Sequence, residues 1–270
     1  MAGYKFDYET KVWGGETLRV TPVHFRASRL YFALQALKNT KGKLLDIGCG
    51  AGDFPEAFSF YRPDLKIFAF DISKKAIALA KKRKLNIEFK VASAEKIPYQ
   101  NNYFDIVTCF DVIEHVRDSE EVLKEIARVL KKGGTFQTFI PTEDSWFSPE
   151  GFLIKIGWKA KEIYGGHPHH YSREYILKIL KSSGFRIKKV RYGEHFTNQI
   201  IEIIYFSFLS LRGRNTGSSV EGYIGRSKKS PETILLAAFK NLLSAVSYFE
   251  ARLFGDVPGG LGVHVTCIKK

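Results

Sequence analysis

At 270 residues, with 44% apolar and 14% aromatic residues, the chain is long enough for one large domain with a sizeable core, and global disorder is excluded. No charge-free run is long enough to span a bilayer, residues 1–10 carry charge and no apolar stretch, and three cysteines (Cys49, Cys109, Cys267) make no disulfide framework. A cytoplasmic protein without a secretory leader is expected, and peripheral attachment to a membrane stays open. The formal net charge of +14 is uneven: residues 1–150 hold 23 Lys and Arg against 20 Asp and Glu, residues 151–270 hold 19 against 8. That asymmetry fits an anionic partner (a phospholipid surface, nucleic acid or an acidic substrate) or plain solubility.

In chain order, apolar positions Phe25, Leu30, Phe32, Ala33, Leu34 and Leu37 predict a helix over 22–39, inside an N-terminal cap of residues 1–40. A strand over 43–47 runs into a glycine loop, followed by a helix over 54–61 and a strand over 67–70 that ends at Asp71. Ser73 caps a helix reaching about 83. Strands follow over 86–91 and 104–109. An amphipathic helix over 119–131 is expected to end at Gly133-Gly134, before a strand over 135–140. A helix over 172–183, stopped at Gly184, leads to strands over 185–191 and 262–268. This alternation predicts an α/β fold, a parallel sheet with helices on both faces. The connection between the last two strands is unusually long. It holds an apolar run over 200–211, a polar basic stretch over 212–231 and an amphipathic segment over 232–254. These read as a helical hairpin over 195–258, inserted into a core of 41–194 that closes with a strand in 259–270.

The loop after the first strand is Asp46-Ile47-Gly48-Cys49-Gly50-Ala51-Gly52-Asp53. Its glycines let backbone turn tightly beside a ligand, at the start of a helix. A dinucleotide fingerprint places a third glycine where Asp53 stands, and a carboxylate there opposes a pyrophosphate, which argues against a nicotinamide dehydrogenase. An acid two residues before the first glycine suits a ligand with a cationic end and a single nucleoside. Asp71, 19 residues beyond Gly52, offers two acceptor oxygens to ribose hydroxyls.

Together with Ala94-Glu95-Lys96-Ile97-Pro98-Tyr99, Phe104-Asp105-Ile106-Val107, Asp111-Val112-Ile113-Glu114-His115-Val116 and Val129-Leu130-Lys131-Lys132-Gly133-Gly134, these residues resemble the class I S-adenosylmethionine-dependent methyltransferases. The likeness is to the subgroup of ubiquinone and menaquinone biosynthesis methyltransferases and covers about residues 40–195 plus the last strand. It implies a Rossmann-like seven-stranded sheet with the last strand antiparallel, and S-adenosylmethionine as cofactor. It implies that Asp46 and the loop of Gly48, Cys49, Gly50 and Gly52 hold the methionine end, and that Asp71 holds the ribose. Ser93 and Ala94 flank the adenine, Ile72 is a further cofactor-binding residue, and Phe110 lines the pocket. The family often has an aspartate where Ser93 stands.

Asp111-x-x-Glu114-His115 follows the fourth strand, on the acceptor side. At helical spacing its three polar side chains share one face. They can bind a divalent cation, as a similar element does in some relatives, or His115 can take a proton from an acceptor hydroxyl with Glu114 in support. They can also be structural; the metal reading is the weakest of the three. Asp111, His170 and Tyr171 are candidate acceptor-site residues, the last two from His167-Pro168-His169-His170-Tyr171. Between 141 and 170, Phe152, Leu153, Ile156, Trp158 and Ile163 alternate with Lys155, Lys159 and Lys161, as a lid helix, a membrane interface or an RNA surface would. The inserted hairpin can close the acceptor pocket, form a dimer interface or dip into a leaflet. The expected activity is methyl transfer to a small hydrophobic or lipid-linked acceptor, at oxygen. The alternatives are an RNA or protein methyltransferase, and a non-catalytic scaffold of the same fold.

Overall fold

The computed structural model describes residues 9, 12, 14–24, 26–142, 149–160, 171–212 and 231–270. Seven strands form one sheet: β1 (Lys43–Ile47), β2 (Lys66–Asp71), β3 (Glu88–Val91), β4 (Phe104–Phe110), β5 (Leu130–Pro141), β6 (Phe185–Gly193) and β7 (Gly262–Lys269). Their order is β3-β2-β1-β4-β5-β7-β6. The first five are parallel, and β7 runs antiparallel to both neighbours. The strand order reverses between β1 and β4, which opens a crevice at their C-terminal ends.

The helices are α1 (Ala27–Leu37), α2 (Asp53–Tyr61), α3 (Lys74–Lys81), α4 (Ser119–Val129), α5 (Pro149–Lys155), α6 (Arg173–Ser182), α7 (Phe196–Arg212) and α8 (Pro231–Phe254). Strand side chains alternate between two buried faces, so adjacent apolar residues serve different helices. Leu45, Phe68 and Val107 face Val122 and Ile126 of α4 and Ile176 and Leu180 of α6. Their neighbours Leu44, Ile67 and Ile106 face Leu30 and Leu37 of α1 and Phe54 and Phe58 of α2. Ser73, Asp118 and Ser172 cap α3, α4 and α6, each accepting a hydrogen bond from the amide three residues on.

Three expectations need correction. Gly133-Gly134 does not end α4: Leu130 is already extended (φ −77°, ψ 139°), and both glycines lie in β5. The pairing jumps from Phe104↔Leu130 to Ile106↔Thr135, and Gly133 takes a φ of +75° in the irregular stretch. Of the helix expected in the 141–170 connection, α5 is present and residues 156–159 break from it, while Ile163 and Lys161 lie outside the described residues. The N-terminal helix is likewise shorter, and residues 14–24 lead into it without helical structure. The hairpin is present as α7 packed on α8, with α8 also against α1 and β6. The linker between its helices, 213–230, lies outside the described residues. Among the described residues no helix is long and apolar enough to cross a membrane.

Candidate active site

The loop after β1 is shaped by glycine. Gly48 has φ +70°, and a Cβ there would run into Val112 Cγ2; Gly52 has φ +89° and precedes the first turn of α2. The loop's amides are committed internally. Gly48 N and Cys49 N both donate to the Phe70 carbonyl (2.9 and 3.0 Å), Gly52 N to the Cys49 carbonyl (2.9 Å) and Gly50 N to Asp71 Oδ2 (2.8 Å). A diphosphate cradle needs these N–H groups free. The loop therefore offers backbone proximity rather than an anion nest, which suits a single nucleoside better than a dinucleotide.

Asp53 at the start of α2 is structural. It is buried, paired with Arg26 and Arg83, and accepts from the amides of Gly15 (2.8 Å) and Glu16 (3.2 Å). Arg83 also bonds the Glu16 and Ala51 carbonyls. This carboxylate clamps the N-terminal segment to the start of α2.

At the end of β2, Asp71 accepts one N–H on each oxygen, from Gly50 and from Ser73 (2.9 Å). Burial raises its pKa against those two hydrogen bonds. Each oxygen keeps acceptor capacity for a ribose hydroxyl. Ile72 beside it is 56% exposed, an apolar surface open to a purine. Ala94 is buried, and the Ser93 hydroxyl accepts from the Glu95 amide (3.2 Å). Asp46 is buried and accepts from the Thr108 hydroxyl (2.6 Å); burial pushes its pKa up to about 7. A buried carboxyl with no cation beside it among the described residues fits the amino end of a methionine. The Cys49 thiol is buried and stays protonated. Phe110 packs on Phe54 (ring centroids 4.6 Å apart) on the α1/α2 side of the sheet and presents little surface. Loop, ribose acid and apolar flank thus fit S-adenosylmethionine.

On the acceptor side, residues 111–117 form a turn, not a helix, so Asp111, Glu114 and His115 do not share a helical face. The reason is local: Asp111 takes φ +53°, a left-handed conformation that no helix continues, and α4 starts only after the Asp118 cap. Asp111 is paired with Arg29 of α1, which also pairs with Glu194 at the β6–α7 corner and lies 4.1 Å over the Phe139 ring. Burial opposes the Arg29 charge, but the two carboxylates outweigh it and hold the guanidinium firmly protonated. Glu114 is 1% exposed, and neither carboxyl oxygen has a hydrogen-bond partner among the described residues. Burial first, then the nearby Asp111 charge, drive its pKa well up, so it is a neutral acid. His115 Nε2 lies 4.0 Å from Glu114 Oε1.

Tyr171 is buried and stacked on Tyr175 (5.5 Å). His170, with His167 and His169, lies outside the described residues. No group of three His, Cys, Asp or Glu residues is arranged to hold a metal among the described residues. His264 of β7 sits between Phe32 and Phe139, held neutral by burial and by Arg29 and Arg191. Arg29, Glu194 and His264 escaped sequence reasoning. The one available signal was an arginine set among the apolar positions of the first helix.

Residues 45–138 match a family model described as a methyltransferase domain. The chain is similar to the ubiquinone biosynthesis O-methyltransferase of Pelagibacter ubique, 41% identical over 122 residues, 44% of this chain and 48% of the relative; it spans about half that relative's length. It is 34% identical to the demethylmenaquinone methyltransferase of Chlorobaculum tepidum over 189 residues, 61% of this chain and 74% of the relative. Its fold is similar to that of an S-adenosylmethionine-dependent methyltransferase from Mesorhizobium loti, with a TM-score of 0.55 at 16% identity over 91% of this chain and 98% of that one. With its glycine loop, the acid at the end of β2 and its antiparallel last strand, the chain belongs to the class I S-adenosylmethionine-dependent methyltransferases.

Proposed function

We propose that this enzyme methylates a small hydrophobic or lipid-linked acceptor at oxygen. The observation that carries the reading is the pair at the C-terminal end of β4: a buried, neutral Glu114, whose carboxyl oxygens have no hydrogen-bond partner among the described residues, next to His115. An acceptor hydroxyl must lose its proton as it is methylated, and His115 is the residue here suited to take it. Glu114, as a neutral acid, serves as a hydrogen-bond donor and acceptor that orients the imidazole or the acceptor. Asp111, fixed by Arg29, and Tyr171 border the same side, and His170 is assigned there from the sequence. The relatives' names, both from quinone biosynthesis, support a hydrophobic acceptor. A cytoplasmic enzyme that meets membrane-held acceptors at the bilayer surface accords with this reading.

For the cofactor, Asp46 and the loop of Gly48, Cys49, Gly50 and Gly52 hold the methionine end and Asp71 the ribose. Ser93 and Ala94 face the adenine, Ile72 adds a further cofactor contact, and Phe110 lines the pocket. Bound S-adenosylmethionine supplies an electrophilic methyl group; the protein's part is to align the acceptor and remove its proton.

The test is transfer of labelled methyl groups into native cell extract, followed by separation into organic, RNA, protein and polar-solute fractions. Label is expected in the organic fraction; label confined to the others overturns the acceptor assignment. On the acceptor so identified, His115→Ala is expected to lower kcat by ~100-fold or more, while Glu114→Gln, an isostere of the neutral acid, keeps most of the activity. Unchanged turnover in His115→Ala removes it as the base.

A further inference from the structure

The C-terminal part of α8 wears its polarity inside out. The residues it turns toward the protein are Ser244, Ser247, Tyr248 and Ala251, all buried. Among the residues it turns to solvent are Phe239, Leu242, Val246, Phe249 and Leu253, between 46% and 75% exposed, with Phe254 next to them at 50%. A surface helix ordinarily does the reverse. The first five recur at spacings of three, four, three and four, the a/d pattern of a coiled-coil seam. On a helical projection these five fall within a stripe about 80° wide, with Phe254 to one side of it.

We propose that this stripe is the seam of a homodimer, in which α8 packs against α8 of a second copy. Three features select that occupant. The stripe is nearly symmetric about Val246, with Phe239 and Leu253 seven residues to either side and Leu242 and Phe249 next to it, so it is complementary to itself in an antiparallel two-fold arrangement. Ala238 and Ala245 flank it one heptad apart and allow close approach of a second backbone. Among the described residues, the cations of α8 do not line it as an anionic lipid surface would require. Lys240 lies well off the stripe, and Arg252 is engaged with the rings of Tyr31 and Tyr248, 4.6 and 5.6 Å away. Lys189 and Arg191 of neighbouring β6 face Asp256.

The stripe spans ~21 Å of helix. Its five side chains leave roughly 500 Å² exposed per copy, ~1,000 Å² for a pair when fully covered, the lower threshold for a specific interface. The proposal does not depend on the acceptor assigned above.

The test is light scattering of the full chain across the micromolar range. The expected species has twice the 30.7 kDa chain mass. Leu242→Glu and Phe249→Glu are each expected to weaken the dimer by ~30-fold or more, because a two-fold seam meets each substitution twice. Phe60→Glu, an equally exposed ring on α2, is expected to leave it intact. Unchanged circular dichroism and cofactor affinity establish that the stripe variants are folded. A monomer at every concentration overturns the proposal, as does a dimer insensitive to both stripe variants. A monomer whose pelleting with phosphatidylglycerol vesicles is abolished by those variants also overturns it and assigns the stripe to lipid.

Discussion

Asp46 carries opposite values for stability and for the proposed contact to the cofactor. Its carboxyl titrates near 3.8 in an unfolded chain and at about 7 in the fold, because burial disfavours its charge. The folded state therefore holds the proton more tightly. Its stabilising contribution is complete below pH 3.8 and is lost as the pH rises from there to about 7. Asp46→Asn keeps an acceptor for the Thr108 hydroxyl and removes this penalty. Denaturant melts of the cofactor-free protein are expected to show a gain of up to ~4 kcal/mol above pH 7, shrinking to nothing at pH 4. Cofactor affinity is expected to fall in the same variant. Asp46 and Asp71 were legible in the sequence because their places beside the glycine loop and at a strand end define them. Arg29 was not legible, because its partners Asp111 and Glu194 stand 82 and 165 residues away. Nor was the neutral state of Glu114, which arises from burial by distant segments and from the Asp111 charge.

Arg29 also acts on whole elements. From α1 it holds the end of β4 through Asp111 and the β6–α7 corner through Glu194. Glu194, like Asp111, has a positive φ (+55°), so the guanidinium fixes two strained corners. Arg29→Ala leaves a buried carboxylate uncompensated and is expected to cost ~3–5 kcal/mol in chemical denaturation. Arg29→Lys is expected to recover little of it, because one ammonium cannot span both carboxylates as a planar fork does. Hydrogen exchange in α1 should rise in both variants. At this scale the strands and caps were readable from apolar runs and from Ser73 and Ser172. Two boundaries were not. The turn at 111–117 depends on a single left-handed aspartate, and Gly133-Gly134, a common helix stop, lies within a strand that bulges around it.

For the whole molecule, alternating strands and helices gave away the doubly covered sheet, and the long connection revealed the hairpin. The antiparallel placement of the last strand was available only through family resemblance, since nothing in residues 262–268 states which strands they join. That placement governs how the chain folds. β7 lies between β5 and β6, yet 68 residues separate its start, Gly262, from the end of β6 at Gly193. Such non-local pairing forms late, after a large loop has closed. Until β7 arrives, β5 exposes an apolar edge of unpaired amides and carbonyls to any other chain. β6 is better defended, with Arg186, Lys188 and Lys189 along its length. Refolding yield is therefore expected to fall with protein concentration, measured as cofactor-binding protein recovered after dilution from denaturant, while the equilibrium midpoint for recovered protein stays fixed. The same strand that completes the sheet sets a time limit: the interval before it inserts is when the chain is most exposed to self-association, and its length is fixed by the path around the hairpin.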